Sequence, residues 1–152
     1  QGLLKELDCH LTRIFITHGH LDHVGGLTGL LKQSGKVQVW QAGGEQIAWA
    51  EEDVRVTAVP TPGHTTDHYA FSVKIGIDCF LLTGDAVLGQ EYSSIFEDYA
   101  QYMAGLERMR DLVMIEPACL LPGHGPAIPA VDALARINRL IEHRIGRHEE
   151  IL

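Results

Sequence analysis

Short apolar runs broken by glycine turns fill most of the chain, and they predict strands. The runs contain three to seven residues rich in Val, Ile, Leu and Phe, which is typical of strands rather than helices. Residues 76–78, Gly-Ile-Asp, predict a short hairpin connection between two of these runs. The predicted strands cover residues 13–17, 37–41, 54–60, 69–75, 79–82 and 119–121.

Apolar positions recur with helical spacing in three other segments. Residues 24–32 and 96–114 predict two helices, and a third is predicted to begin near Ala130. The second helix carries an apolar stripe that predicts core packing rather than a substrate pocket, at Tyr99, Met103, Leu106 and Met109 or Arg110. The stripe of the third helix consists of Leu134, Ile137, Ile141, Ile145 and Leu152. Because strands and helices alternate, the pattern predicts a layered α/β fold.

Composition indicates a soluble globular protein. The 152 residues are 45% hydrophobic, enough for one core, so residues 1–152 are interpreted as a single, partial domain. No apolar segment approaches the ~20 residues that cross a membrane, and no membrane association is expected. Cys9, Cys79 and Cys119 are widely spaced and odd in number, which predicts free, buried thiols and weakly favours a reducing compartment.

The charge balance argues against a broad nucleic-acid-binding face. Twelve basic and 20 acidic residues give a formal net charge of −8. Basic residues concentrate on the outward flank of the last predicted helix, at Arg136, Arg139, His143, Arg144, Arg147 and His148. A solvated helix face is favoured there over RNA contact. Two divalent ions in a cleft would still make the cleft entrance electropositive, so that an anionic substrate could bind although the protein has a net negative charge.

The pattern at residues 17–23 carries the clearest chemistry. Thr-His-Gly-His-Leu-Asp-His places three imidazoles and one carboxylate within six residues, directly after an apolar run. These groups suit Zn²⁺, with Fe, Mn and other divalent ions as alternatives. A solvated polar loop would account for one histidine but not for this spacing. The pattern predicts a metal site that contains His18, His20, Asp22 and His23.

Three further candidate ligands each follow an apolar run and a glycine turn. His64 lies in Thr-Pro-Gly-His-Thr at 61–65, Asp85 in Thr-Gly-Asp at 83–85, and His124 in Pro-Gly-His-Gly at 122–125. Glycine permits the turn that aims a side chain from a strand end into a shared cleft. The repeated pattern predicts a two-metal site. His68 is left out of it, because residues 65–67 make a helical pair with His64 doubtful.

This ordered signature resembles that of the metallo-β-lactamase superfamily, with all seven metal positions filled. The resemblance implies two Zn²⁺ ions, the first held by His18, His20 and His64 and the second by Asp22, His23 and His124, with Asp85 as the bridge. An Asp at the bridging position resembles the glyoxalase II and nuclease branches, whereas antibiotic-degrading members tend to carry Cys. Antibiotic hydrolysis is therefore not expected.

A closer resemblance covers most of the chain. The motifs at 17–26, 61–65, 83–89, 96–98 and 122–126 are similar to those of the beta-lactamase-like protein 2 family of animals. This resemblance implies a zinc-dependent endoribonuclease that acts on single-stranded RNA in the mitochondrial matrix, with a cytoplasmic location as the alternative. Fungal relatives that share these motifs include thioesterases that release polyketides.

The resemblance also implies the architecture. We expect an α/β, four-layer αβ/βα metallo-β-lactamase sandwich that is N-terminally truncated and lacks the C-terminal winged helix of that family. Residues 37–59 leave little room for the hairpin that relatives place there.

The predicted function is hydrolysis by a solvent molecule that two metals bridge and activate. Asp22 is the predicted catalytic residue, because it would orient this nucleophile while binding the second metal. An endoribonuclease is favoured. The alternatives are a thioesterase of glyoxalase II or polyketide-releasing type, and a non-catalytic metal-binding fragment. A basic groove would favour RNA as the substrate, and a narrow apolar tunnel would favour a thioester. A large exposed apolar face would favour the non-catalytic fragment. Substrate-binding residues and oligomeric state are left unassigned.

Overall fold

Strands and helices alternate along the chain, so the predicted α/β class is confirmed. The computed structural model describes residues 2–41 and 46–149. In chain order, the elements are α1 (Gly2–Glu6), β1 (Arg13–Phe15), α2 (Leu21–Val24), α3 (Leu27–Ser34), β2 (Gln38–Trp40), β3 (Gln46–Glu51), β4 (Val54–Pro60), β5 (Tyr69–Ile75), β6 (Asp78–Gly84), α4 (Tyr99–Ile115), β7 (Cys119–Pro122) and α5 (Ala130–Glu149).

Five strands form a mixed sheet in the order β3-β4-β5-β6-β7. The strands from β3 to β6 are antiparallel to their neighbours, and β7 lies parallel to β6. It follows that β4, β6 and β7 run in one direction and that their carboxyl ends lie at the same edge of the sheet. A separate parallel pair consists of β1 and β2.

The two faces of the five-stranded sheet pack against different partners. Side chains alternate along a strand, so Ala70 joins the core under α4 and α5, whereas Phe71 packs on the opposite face. There its ring lies 5.5 Å from Phe15 of β1 and 5.1 Å from Trp40 of β2, between ring centroids. One apolar layer on each face of the sheet therefore fixes the position of the sheet relative to the loops at its edge.

The helical stripes differ from the predicted ones by small rotations. The prediction that α4 packs into the core is confirmed, but its fully buried aromatic residue is Tyr102 rather than Tyr99. On α5, Ile137 and Ile141 are buried as predicted, whereas Ile145 is exposed. Leu152 lies outside the described residues.

The expectation for residues 37–59 is wrong, because a hairpin does form there. Strand β3 pairs with β4 in antiparallel register, from Gln46 opposite Ala58 to Glu51 opposite Val54. The turn between them is left-handed at Glu52, with a φ of 47°. Turns of this kind usually contain Gly or Asn, which is the sequence signal that predicts them. Glu52 provides no such signal, so the hairpin was not predicted.

Two predicted helix boundaries also shift. The predicted helix at 24–32 is divided into α2 and α3 around residues 25–26, and α1 was not predicted. Helix α4 begins at Tyr99 because the side chain of Asp98 accepts a hydrogen bond of 2.9 Å from the backbone N–H of Gln101. Phe96 and Glu97 consequently precede the helix and belong to the loop after β6.

Among the described residues, no helix has the length and apolar character required to cross a membrane. All three cysteines are free, as predicted. Their predicted burial is wrong in part, because Cys9 is exposed and both Cys79 and Cys119 are half-buried.

Candidate metal centre

The candidate ligands lie in four loops that meet at one edge of the five-stranded sheet. Three loops follow the carboxyl ends of β4, β6 and β7, which point the same way, and the fourth follows β1. Backbone hydrogen bonds join them. The N–H of Tyr69 donates to the carbonyl of Thr17 at 2.7 Å, and the N–H of Gly123 donates to the carbonyl of Gly84 at 2.8 Å. The strand directions thus explain why residues far apart in sequence become neighbours.

All seven predicted metal residues come together in this structure. They form three overlapping groups whose ligand atoms lie within 4.8 Å of one another: His18, His20 and His64; His18, His23 and Asp85; and Asp22, His23 and His124. We call the first group the buried trio and the third the open trio. His68, which was left out of the predicted set, belongs to none of the three groups. The assignment of the seven residues as ligands stays a prediction.

The buried trio points three ring nitrogens at one spot. The Nδ1 atom of His20 lies 3.1 Å from His18 Nε2 and 3.2 Å from His64 Nε2. His64 Nδ1 lies 2.7 Å from the carbonyl of Ser94, which can only accept, so this nitrogen carries the proton. In the neutral ring, His64 Nε2 then presents a lone pair to the trio. Three nitrogens at this separation suit a shared cation better than hydrogen bonds to one another.

Burial keeps the first of these histidines uncharged. His18 is 1% exposed. Burial, reinforced by the neighbouring His23, lowers the pKa of His18 to about 4. The ring is therefore neutral near neutral pH, which is the form that binds a metal.

The open trio lies toward solvent. The side chains of Asp22 and His124 are 57% and 52% exposed, and the distance from Asp22 Oδ2 to His124 Nε2 is 3.1 Å. His23 Nε2 lies 3.8 Å from the same carboxylate oxygen. A hydrogen bond from its own backbone N–H, followed by the nearby His23 and His124, lowers the pKa of Asp22. Its carboxylate is thus ionised and accessible.

Asp85 lies between the two trios. Its Oδ2 atom is 3.6 Å from His64 Nε2 and 3.5 Å from His124 Nε2, while Oδ1 is 3.3 Å from His23 Nε2. Asp85 Oδ1 and His23 Nε2 are both buried without a hydrogen-bond partner. Buried polar atoms are rarely left unpaired, and cations between these atoms would satisfy them. A Cβ at position 123 would overlap Asp85 Oδ1, so Gly123 leaves room for the carboxylate. The residues present therefore fit two divalent ions.

Sequence reasoning missed the contacts that support the buried trio. Ser93, which is 3% exposed, places its Oγ atom 3.2 Å from His64 Nδ1. The guanidinium of Arg144 on α5 donates to the Ser93 carbonyl. Earlier in the same loop, the carbonyls of Leu88 and Glu91 accept hydrogen bonds from Arg136 at 2.9 and 2.6 Å. Helix α5 thereby holds the loop that orients His64.

These contacts correct the interpretation of the basic flank. Arg136 and Arg144 are half-buried and bind backbone carbonyls, so they are not part of a solvated face. His143 likewise stacks on Tyr92, with 3.8 Å between ring centroids. Arg139 and Arg147 are exposed. No pattern in the sequence distinguished the two inward-facing arginines from these two.

The mouth of the site combines apolar and acidic groups. Phe96 is 65% exposed, yet its ring centroid lies 5.8 Å from that of His20 and 5.3 Å from that of His64. A cavity of about 150 Å³ opens beside His124 and is lined by Leu88, Gln90, Glu91 and Gly125. Neither Lys nor Arg is among the described residues that line this cavity.

Comparisons with known proteins show what the chain is similar to. Residues 2–55 match the family model described as the metallo-beta-lactamase superfamily. The chain is 32% identical over 168 residues to a beta-lactamase-like protein 2 homologue of Caenorhabditis elegans, covering 100% of this chain and 54% of that protein. It is 33% identical over 156 residues to thioesterase pkgB of Emericella nidulans, covering 97% of this chain and 44% of that protein. The chain thus spans about half the length of the curated relatives it matches.

The fold has a close match among solved structures. A beta-lactamase domain protein from Burkholderia ambifaria superimposes with a TM-score of 0.76 at 19% identity, over 95% of this chain and 59% of that one. The metallo-β-lactamase fold predicted from the sequence is therefore confirmed.

Proposed function

This chain belongs to the metallo-β-lactamase superfamily, and from that premise we propose that it is a binuclear metal-dependent hydrolase. One observation carries the proposal. The carboxylate of Asp85 lies between the two trios, with its oxygens 3.3 to 3.6 Å from the Nε2 atoms of His23, His64 and His124. A carboxylate in this place can bind two cations and fix their separation.

We assign each trio to one ion, preferentially Zn²⁺. His18, His20 and His64 would bind the first and Asp22, His23 and His124 the second, with Asp85 bound to both. Imidazole and carboxylate suit Zn²⁺, although iron and other divalent ions remain compatible with the same donors.

When bound, two divalent ions would supply Lewis-acid activation of water and would stabilise negative charge on the attacked centre and the leaving group. The protein contributes the geometry. Asp22 is ionised and faces solvent, so its carboxylate can accept a hydrogen bond from the attacking water and orient it. Asp22 and His124 are the exposed members of the set, so substrate would approach past them. No protein nucleophile is required.

We propose single-stranded RNA as the substrate and internal cleavage as the reaction. The proposal rests on the similarity to beta-lactamase-like protein 2 homologues. The exposed ring of Phe96 beside the buried trio offers a surface on which a base can stack. Such stacking contributes about 1–3 kcal/mol per base. A mitochondrial matrix location accompanies this proposal, with the cytoplasm as the alternative.

A thioester is the second candidate, and the mouth of the site gives a specific reason for it. The cavity beside His124 is lined by Leu88 and Glu91 and, among described residues, by no cation that would bind a phosphate backbone. An uncharged acyl chain avoids the repulsion that Glu91 would exert on phosphate. Thioesterase pkgB is moreover similar along nearly the whole chain.

The test is a parallel assay of zinc-loaded protein on single-stranded RNA and on a panel of acyl thioesters, with zinc content measured on the same sample. Phe96→Leu keeps an apolar side chain but removes the aromatic ring. We expect it to weaken RNA binding by roughly tenfold, the equivalent of about 1.4 kcal/mol, and to leave thioester turnover nearly unchanged. Ile77→Leu, at an exposed apolar residue in the β5–β6 turn, is the matched control.

The outcomes separate the candidates. RNA cleavage that depends on Phe96 supports the nuclease. Thioester turnover without RNA cleavage supports the second candidate. Zinc binding without either activity supports the non-catalytic fragment and contradicts the hydrolase.

A further inference from the structure

His68 is a fully buried histidine that the proposed metal centre does not use as a ligand. It is 0% exposed, and its ring centroid lies 5.0 Å from that of His18 and 5.9 Å from that of His64. The ring is thus packed directly behind the buried trio. A buried imidazole in this place requires partners for both of its nitrogens.

The two partners define the tautomer of His68. The backbone N–H of Asp85 donates to His68 Nε2 at 3.1 Å, so that nitrogen must carry a lone pair. The proton of the neutral ring therefore lies on Nδ1, from which it can be donated to Thr61 Oγ1 at 2.8 Å. Both nitrogens are engaged, which explains why His68 can lie beside two candidate ligands without being one.

The backbone at the Asp85 turn depends on this acceptor. Gly84 has a φ of 50°, and a Cβ at that position would lie 2.7 Å from His68 Nε2. The left-handed turn at Gly84 directs the next N–H to the histidine rather than to a neighbouring strand. Without His68, the N–H of Asp85 would be a buried donor with no partner, which costs about 1–3 kcal/mol.

We propose that His68 is a positioning residue that sets the place of the bridging carboxylate. The chain from Thr61 Oγ1 through the His68 ring to the Asp85 N–H fixes the peptide from which the Asp85 side chain extends. Through that side chain, it fixes how far apart the two trios hold their ions. This inference rests on the proposed binuclear centre, and it assigns a role that neither the ligand pattern nor the fold specifies.

Paired variants separate positioning from packing. His68→Gln can place an amide oxygen near the Nε2 position and keep an acceptor, whereas His68→Leu keeps an apolar body without one. Thr61→Ser keeps the hydroxyl that accepts the hydrogen bond from Nδ1–H, and Thr61→Val removes that hydroxyl. Each protein is titrated with Zn²⁺ against a competing chelator, and its Co²⁺ form is examined by visible absorption. Thermal unfolding without metal measures the effect on the fold alone.

We expect His68→Leu to weaken the lower-affinity zinc equivalent by roughly 10- to 100-fold and to change the Co²⁺ spectrum. His68→Gln should recover most of the affinity, and Thr61→Val should lie between the wild type and His68→Leu. A packing role alone would lower the melting temperature of the metal-free protein without changing the spectrum of the loaded form. His68→Leu with an unchanged spectrum and zinc affinity would overturn the proposal.

A measurement on the wild-type protein keeps the inference testable if His68→Leu does not fold. Long-range ¹H–¹⁵N correlation of the ring should show His68 protonated at Nδ1, with and without metal. Protonation at Nε2 would overturn the positioning role even in a protein that binds two zinc ions. Conversely, a protein with the expected tautomer that binds no zinc would overturn the binuclear hydrolase, and the positioning role with it.

Discussion

The two trios of the candidate centre contain similar ligands but lie in opposite environments. In the buried trio, His18 and His64 are 1% and 4% exposed. In the open trio, the side chains of Asp22 and His124 are 57% and 52% exposed. The difference teaches that residue type alone does not define a metal site, because preorganisation and solvent access are set by the surrounding loops. We expect the buried trio to bind its ion more tightly and the open trio to meet the substrate.

The supports of the two trios differ as well. The outer nitrogen of His64 is held by the carbonyl of Ser94, at 2.7 Å, in a loop that α5 secures through Arg144. The described structure gives His124 contacts with Asp22 and Asp85 but no comparable support for its outer nitrogen. Partners that orient a ligand typically change metal affinity by about 10- to 100-fold. The following predictions test this contrast.

Asp85→Asn should have the largest effect, because the Asp85 carboxylate lies between the two trios and would bind both ions. We expect zinc content to fall from about two equivalents to one or fewer, and activity to fall by roughly a thousandfold, about 4 kcal/mol. This loss should exceed that of any single histidine substitution. Asp78→Asn, at an exposed carboxylate on the first residue of β6, is the control. Equal losses for Asp85→Asn and each histidine variant would contradict a bridging role.

Removal of one ligand from each trio should separate their affinities. His124→Ala is expected to keep about one tightly bound zinc ion, whereas His64→Ala should lose the tight equivalent. In the wild type, a chelator should remove the two ions in two phases that differ by roughly 10- to 100-fold in affinity. Release in one phase, with identical effects of both variants, would show that the two environments are equivalent.

Ser93→Ala and Arg144→Met should affect the tight site alone. Both weaken the loop that orients His64, and we expect about a tenfold loss of affinity for the tighter zinc ion. Arg139→Met, at an exposed arginine on the same helix, is the matched control and should change neither site. A comparable loss in the Arg139 variant would indicate an effect of net charge rather than of loop support.

Acidification should produce the smallest effect near neutral pH. Burial lowers the pKa of His18 to about 4 and that of His68 to about 3, from an ordinary value of 6.5. The unfolded chain therefore binds more protons below pH 6.5, and the metal-free fold loses stability as the pH falls toward 4. By pH 5.5 each histidine should cost about 1 kcal/mol. Urea unfolding of the metal-free protein between pH 5.5 and 7.5 measures how the free energy of unfolding changes with pH. A free energy that does not change would contradict the burial of both histidines in the neutral form.

The convergence of the candidate ligands was predictable, because each of them lies in a recognisable local pattern. His18 to His23 follow a strand directly, and a glycine precedes each of His64, Asp85 and His124. Contacts made by distant residues had no such signal. Arg144 meets Ser93 across 51 positions, and His68 receives the Asp85 N–H across 17. The β3–β4 hairpin was missed for a local reason, since Glu52 adopts the left-handed conformation without Gly or Asn.

Anomalous diffraction at the zinc edge from crystals grown with Zn²⁺ tests the central claim most directly. We predict two peaks about 3.5–4 Å apart, one among His18, His20 and His64 and one among Asp22, His23 and His124. The zinc ion at each peak should be bound by an oxygen of Asp85, either one oxygen for each ion or one shared oxygen. When zinc is limiting, the ion at the buried trio should have the higher occupancy. A single peak, or peaks bound by other residues, would contradict the binuclear centre.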